Sequence, residues 1–203
     1  MRERWVPDAR RAAIANAVGR LLTRGHGTFP GMREIAAEAG VTTGTLQHHF
    51  STKEEMLLFA LEHHCRRCAD RLRARSGEGT PSPRQMLSAI VTELLPLDEE
   101  RTAETSVVMA FVSRAMTDPG FAEHYRAQRK ILLDLLSEQF ERAATPHPSV
   151  AATILLQVID GMRMDCLLLG PDAVRIDAVL DRLLTPAPSS NPPSSTGTPH
   201  EKR

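Results

Sequence analysis

The sequence predicts an all-α protein of about nine helices, and three observations lead to this prediction. Ala, Leu, Arg and Glu are abundant while runs of β-branched residues are short, a composition that favours helix over sheet. Apolar residues recur at a spacing of three and four between Pro- and Gly-rich breaks. Hydrophobic residues make up 41% of the 203 residues, which suffices for a core.

Composition also limits where and with what the chain acts. No apolar stretch approaches the roughly 20 residues of a membrane-spanning helix, and the charged residues 1–5 precede no secretory core. We therefore expect a cytoplasmic protein with no membrane contact. Three cysteines are an odd number, which argues against a disulfide scaffold. The net charge is zero, but residues 1–75 are basic and the remainder is acidic, which favours one polyanion-binding end.

The first four helices follow from local signals. Pro7 and Asp8 start a helix whose apolar face includes Ile14 and Val18, and Gly25 ends it. Two short helices and a long one follow, at residues 32–39, 43–50 and 53–75.

The remaining helices lie between breaks at residues 76–81 and 145–148. Ser82 is expected to cap a helix that opens with Pro83, and Asp118 is expected to cap another. The predicted helices span residues 83–95, 102–116, 119–143 and 149–169, with a last one beginning at Asp172. Residues 185–203 are rich in Pro, Ser and Thr and hold no large apolar side chain, so we expect a disordered tail.

Two of the short helices form a predicted helix-turn-helix. Ile35 and Leu46 are expected to face inward and hold the pair against the first helix. Gly40 supplies the left-handed backbone conformation that ends one helix and redirects the chain. Thr42 or Thr43 can cap the second helix, which is left free to enter a major groove.

This segment resembles the tetracycline-repressor (TetR) family of transcriptional regulators. The residues that match the family's pattern are Ile35, Ala36, Ala39, Gly40, Val41, Gly44, Leu46, His49, Phe50, Lys53 and Glu54. The resemblance implies a repressor whose homodimer binds a palindromic double-stranded operator and is released by a small-molecule effector. We expect no enzymatic activity, no cofactor and no resident metal.

The resemblance implies that particular residues of this segment contact DNA. The expected DNA-contacting residues are Arg33, Thr42, Thr43, Gly44, Thr45, Gln47, His48, His49 and Lys53. Gln47 departs from the family, which usually has Tyr after the Leu. Because Gln can bond adenine through two hydrogen bonds, we expect Gln47 to read one base pair. Phe50 is expected in the core.

The later part of the chain resembles the BetI-type C-terminal domain of this family, in residues 94–101, 110–112, 118–119 and 160–162 ahead of Gly170. This implies an effector pocket and a dimer built from the last two helices. The candidate pocket residues are Met86, Met109, Phe111, Met116, Phe121, Tyr125, Met162, Met164 and Cys166. The candidate dimer residues are Ile154, Leu155, Val158, Ile159, Ile176, Val179, Leu180 and Leu183.

We expect a DNA-binding domain at residues 1–52, a linker helix with the effector and dimerisation domain at 53–184, and the tail at 185–203.

Three alternatives remain open on sequence alone. The first is a metal- or thiol-responsive sensor, since His64, Cys65 and Cys68 share one helical face. Against it, one helix supplies too few ligands to close a metal site, and the two arginines between the cysteines disfavour a cation. A DNA-binding regulator without an effector is a second alternative. An enzyme is a distant third, since the sequence has no phosphate-binding glycine loop, nucleophile elbow or zinc-protease motif.

Overall fold

The computed structural model describes residues 9–25, 27–75 and 79–185, and within these ranges the chain is helical with no β-strand. The helices are α1 (Ala9–Arg24), α2 (Met32–Glu38), α3 (Thr43–His49), α4 (Lys53–Arg75), α5 (Pro83–Leu94), α6 (Glu99–Ala115), α7 (Pro119–Arg142), α8 (Pro148–Leu169) and α9 (Ile176–Leu184), with a 3-10 helix at Pro171–Ala173. The all-α prediction is confirmed. The predicted first-helix start and residues 186–203 of the predicted tail lie outside the described residues.

Helix starts follow the capping signals, with two differences from the prediction. Ser82 and Asp118 cap α5 and α7 as expected, each accepting a backbone N–H of the first turn. The sixth helix begins three residues earlier than predicted because Asp98 caps it, its Oδ1 accepting the N–H of Arg101 at 2.8 Å. The last helix begins at Ile176, not Asp172, because the chain first forms the 3-10 turn.

Two hydrophobic cores organise the packing. The first joins α1, α2, α3 and the first half of α4 to Val107 and Phe111 of α6 and Phe121 of α7. The second joins α5, α7, α8 and α9 around Leu136, Phe140 and other fully buried side chains. The three N-terminal helices therefore have no core of their own, because side chains from α6 and α7 complete it.

Close contact between α1 and α6 fixes the N-terminal helices on the rest of the chain. Gly19 is the contact point, since a Cβ there would lie 3.0 Å from the carbonyl oxygen of Ala103. Four residues later, the hydroxyls of Thr23 and Ser106 share a 2.9 Å hydrogen bond. A larger side chain at Gly19 would push the helices apart. None of the described helices is long and apolar enough to cross a membrane.

Candidate nucleic-acid interface and ligand cavity

The turn between α2 and α3 has the geometry expected of a helix-turn-helix. Gly40 has φ of +67°, the left-handed conformation that glycine adopts without a Cβ penalty. The N–H of Val41 then returns to the carbonyl of Ala36 at 2.9 Å. Ile35 and Leu46 are fully buried, one on each helix, which confirms their predicted inward orientation.

The start and end of α3 are both held by side chains. Thr42 is the N-cap, accepting the N–H of Thr45 at 3.0 Å, and the two threonine hydroxyls lie 2.9 Å apart. At the other end, Phe50 is buried as predicted, and the Arg11 guanidinium lies 4.6 Å from its ring centroid and 4.5 Å from that of Phe59. These contacts fix α3 relative to α1 and α4.

The structure brings the nine predicted DNA-contacting residues to the surface of α2, α3, the turn between them and the start of α4. Those that are exposed are Arg33, Thr42, Gly44, Gln47, His48 and Lys53, and those that are half-buried are Thr43, Thr45 and His49. The His48 and His49 rings contact edge to face at 5.5 Å. The outer face of α3 is thus polar and accessible.

Gly44 is open to solvent within this face. A Cβ built at Gly44 would meet only the Thr42 hydroxyl, at 3.8 Å, which is ordinary van der Waals contact. Its backbone has no left-handed φ, so neither packing nor strain requires glycine at this position. A missing side chain does allow another molecule's backbone to approach α3 closely.

A cavity of about 470 Å³ lies among α4, α5, α6, α7 and α8. Its size is that of a small-molecule site, and its walls are mainly apolar. Four of the predicted pocket residues line it: Met109, Phe111, Tyr125 and Met164.

The other five predicted pocket residues lie elsewhere, and this corrects the prediction. Phe121 is buried in the first core, its ring 5.2 Å from that of Phe111. Met162 and Cys166 are buried along α8, outside the cavity lining. Met86 packs on the second core, and Met116 is 79% exposed just beyond the end of α6. Helical periodicity alone could not say which side of each helix faces the cavity.

Charged groups meet at the α7–α8 side of the cavity. Asp160 Oδ2 accepts from Arg129 Nη1 at 2.8 Å, and Oδ1 accepts from Arg163 Nη1 at 3.1 Å. Arg129 also donates to the Tyr125 hydroxyl at 3.1 Å. Burial lowers the pKa of Arg163, while for Arg129 the bond to Asp160 outweighs burial and raises the pKa. The sequence analysis missed Arg129, which is recognisable only once α7 and α8 are packed together.

A second polar cluster joins α4, α5 and α6. Arg71 donates to Glu93 at 2.6 Å and to both oxygens of Glu104, at 2.7 and 3.0 Å. His64 Nδ1 lies 3.1 Å from Glu104. Burial alone would raise the pKa of Glu104, but hydrogen bonds with His64 and Arg71 outweigh it and lower the pKa to about 2.

This cluster also bears on the metal- or thiol-sensor alternative. His64, Cys68 and Glu104 place one potential ligand atom each within 4.8 Å of one another, while Cys65 is not part of the group. Burial raises the pKa of Cys68 to about 12 and that of Cys65 to about 11, so both are thiols rather than thiolates. Arg71 Nη2, 3.5 Å from Cys68 Sγ, also bonds Glu104. A guanidinium thus occupies the position facing these donors, which gives the alternative no support.

The outer face of α8 carries a group of exposed apolar side chains. Its exposed side chains are Val150, Ile154, Met164, Leu167, Leu168 and Leu169, of which Leu168 and Leu169 are more than 70% exposed. Of the predicted dimer residues, only Ile154 is exposed. Such a surface on a globular protein indicates a contact site.

Three of the remaining predicted dimer residues face the interior of the chain, which corrects the prediction at those positions. Leu155, Ile159 and Leu180 are fully buried and cannot reach a second molecule. The prediction still stands at the other four, which are half-buried and pack partly against the second core: Val158, Ile176, Val179 and Leu183. The apolar side of α9 packs against the second core, and Arg84 of α5 bonds Asp177 and Asp181 on the exposed side, at 3.3 and 2.6 Å.

Comparison with known proteins agrees with this geometry. Residues 30–59 match the family described as bacterial regulatory proteins, tetR family, and residues 83–186 match the BetI-type transcriptional repressor C-terminal domain. The chain is 27% identical to the transcriptional regulator PksA of Bacillus subtilis, over 84% of this chain and 83% of PksA. A transcriptional regulator from Rhodococcus sp. Rha1 is 33% identical, with a TM-score of 0.72 over 86% of this chain and 93% of that one. A regulator from Saccharomonospora viridis, solved with choline, is 23% identical, with a TM-score of 0.71 over 86% and 93%.

Proposed function

Because the chain belongs to the TetR family of bacterial transcriptional regulators, with a BetI-type C-terminal domain, we propose that it is a repressor whose homodimer binds a palindromic operator and is released by a small molecule. The observation that carries this proposal is the position of α4. Its first half packs in the core beneath α3, and its second half lines the cavity.

DNA binding is assigned to α3, entering the major groove. Gln47 and His48 are exposed on its outer face, where a base edge can be reached. Lys53, exposed at the start of α4, is placed to contact a phosphate, and Gly44 allows the DNA backbone to approach closely. Arg33 contributes a second positive charge from α2.

Dimerisation is assigned to the outer face of α8. Val150, Ile154 and Leu168 are exposed at helical spacing, and the exposed Gly161 between them allows a second helix to approach. Two such helices related by a two-fold axis bury the same face on each chain. The two copies of α3 would then lie about 34–36 Å apart, or a multiple of that, to match successive turns of DNA.

The ligand response is assigned to the cavity. Leu61 and Phe111 line the cavity and also belong to the core of the helix-turn-helix region. A ligand that favours one arrangement of these side chains over another shifts the position of α4, and with it the spacing of the two α3 helices. The choline bound to the Saccharomonospora viridis regulator supports a ligand role for this fold.

The proposed division of the chain follows these roles. Residues 1–52 read DNA, residues 53–184 sense the ligand and dimerise, and the protein acts in the cytoplasm, where its operator would be.

An electrophoretic mobility shift with DNA from upstream of the protein's own gene tests this function. We expect a salt-sensitive shift, because phosphate contacts release counterions. The double variant Thr45→Ala, His49→Ala should lose the shift, while Thr117→Ala, at an exposed threonine between α6 and α7, should keep it. If neither upstream DNA nor sequences selected from random DNA shift with the purified protein, the proposed function is wrong.

A further inference from the structure

The charges at the α7–α8 side of the cavity do not cancel. One carboxylate, Asp160, lies between two guanidinium groups, Arg129 and Arg163, at 2.8 and 3.1 Å. Its two oxygens are each bonded to one arginine, so this group of three side chains keeps one net positive charge. The charge is held beside an apolar wall, where it interacts more strongly than in water.

Other ionisable groups at the cavity do not supply the missing negative charge. Glu93 is 1% exposed and its carboxylate is already paired with Arg71, Arg75 and Arg101 at 2.6, 3.1 and 2.8 Å. Cys65 and Cys68 are thiols, because burial raises the pKa of both. His64 is bonded to Glu104, which Arg71 also pairs. The positive charge of the Arg129–Asp160–Arg163 group therefore remains available to a ligand.

Arg163 is the group best placed to use this charge. It is buried, its Nε donates to the carbonyl of Leu94 at 2.9 Å, and its Nη1 donates to Asp160. Its Nη2 makes no hydrogen bond to the described part of the chain. Because Arg163 lines the cavity, this nitrogen is free to donate to an acceptor brought by a ligand, and a hydrogen bond between charged groups is stronger than one between neutral groups.

A cationic ligand fits this cavity poorly. Quaternary ammonium groups are bound by aromatic faces, and the only aromatic residues among the described cavity-lining residues are Phe111 and Tyr125. Phe111 is 1% exposed, and the Tyr125 ring already has the Arg129 guanidinium 5.9 Å from its centroid. A cation would also face two arginines. The cavity thus differs in chemistry from a choline site.

We propose that the ligand of this cavity is an amphiphilic monoanion, a carboxylate with an aliphatic or aromatic body. Arg163 and Arg129 bind its charged head. The apolar wall of the cavity contacts its body, through Ile90, Val108, Met109, Leu132 and Leu156. This assignment deepens the proposed function and rests on its ligand response. The charged head gives orientation, and the apolar lining gives most of the contact area.

Isothermal titration calorimetry of the full chain with three ligands of one chain length tests the proposal. The probes are decanoate and decyltrimethylammonium, each kept below its micelle-forming concentration, and decanol, kept below its solubility limit. Decanoate should bind at least about tenfold more tightly than either of the others, as a hydrogen-bonded charge pair requires. Equal affinity for decanoate and decanol, or preference for the ammonium, overturns the proposal.

Charge-removing variants locate the binding site. Arg129→Gln should weaken decanoate binding by about tenfold while leaving the affinity for decanol unchanged. Arg163→Met should have the same two effects, and circular dichroism checks that this variant folds. The matched control is Lys130→Gln, next to Arg129 on α7 but exposed and paired with Asp134. If Lys130→Gln weakens binding as much as Arg129→Gln, the anion is attracted by the surface of α7, and the cavity assignment is wrong.

A mobility shift with decanoate separates this inference from the proposed function. Calorimetric binding of decanoate by the cavity, without any operator shift for the protein, supports the ligand class and contradicts the regulatory function. An operator shift together with decanol binding as tight as decanoate contradicts the ligand class alone.

Discussion

Arg71 of α4 bonds both carboxylate oxygens of Glu104 of α6, at 2.7 and 3.0 Å, and in doing so joins the helix beneath the cavity to the helix that packs on α1. Glu104 is 8% exposed at its side chain and Arg71 is 24% exposed. A pair of this kind has a defined geometry that holds α4 and α6 at a fixed distance.

Replacing Arg71 by Met should lower the free energy of unfolding by about 2–3 kcal/mol, because two buried carboxylates, Glu93 and Glu104, each lose a partner. Urea denaturation followed by circular dichroism measures this. The control is Arg73→Met on the same helix, whose pair with Asp70 is exposed and should be worth under about 1 kcal/mol. Equal losses for the two variants would show that the Arg71 pair is no stronger than a surface pair.

Acid should destabilise the protein through Glu104. Its pKa is about 2 in the folded chain against an ordinary value of 4.5. A lowered pKa gives stability that is complete above about pH 4.5 and is lost as the pH falls towards 2, about 3 kcal/mol in all. Glu104→Gln should be less stable at neutral pH, and its stability should fall less between pH 4.5 and 2. Glu138→Gln, at an exposed position of α7, should keep the wild-type slope.

Gln47 should determine preference at one base pair of each half-site. With Gln47→Ala we expect the preferred base there to lose about 1–3 kcal/mol of discrimination, with affinity for other sites little changed. Selection from random DNA, followed by fluorescence anisotropy on single-base variants, gives the comparison. Uniform weakening across all sequences would assign Gln47 to a phosphate contact instead.

Gly44→Ala should have opposite effects on folding and on DNA binding. The added methyl group has room in the protein and Ala favours helix, so stability should rise by about 0.5 kcal/mol. If the DNA backbone approaches α3 here, the same methyl group should weaken operator binding. Thermal unfolding and anisotropy on one preparation test both effects. Unchanged DNA affinity would mean that the DNA does not approach α3 at Gly44.

A charge on the outer face of α8 should dissociate the proposed dimer. Ile154→Glu and Leu168→Glu each place a carboxylate on a surface that is apolar and exposed in the single chain. Sedimentation velocity should show monomers for both variants. Their affinity for the operator should also fall, because a monomer can contact only one half-site. The control is Met116→Glu, at a methionine just beyond the end of α6 that is 79% exposed. This variant should stay dimeric. Dimers that survive both α8 changes would place the interface elsewhere.

Local sequence signals predicted the helix-turn-helix well because each of its features is decided within a few residues. Gly40 requires a left-handed φ, Thr42 caps α3, and the spacing of Ile35 and Leu46 allows only one inward face. The same holds for Ser82 and Asp118, whose side chains bond backbone N–H groups two or three positions away. Such contacts join residues close in sequence, so a local pattern is enough to predict them.

The sides of α8 and α9 could not be assigned in this way. In α8, Ile154 is exposed and its neighbour Leu155 fully buried, yet both are large apolar residues. An apolar helix has no polar face that identifies its outer side. Which side packs inward depends on α5 and α7, whose positions follow from long-range contacts. The pairing of Arg129 with Asp160, 31 positions apart, depends on the same packing.

The core shared by the N-terminal helices and α6 also limits how these regulators can be recombined. A chimera that joins residues 1–52 of this chain to the sensor of a relative would separate Ile35 and Leu46 from Val107 and Phe111, which help to complete their core. The substituted sensor would have to offer side chains of matching volume, since interiors tolerate few voids. Exchange of DNA specificity between relatives should therefore succeed more readily by grafting the exposed residues of α3 than by transplanting the whole head.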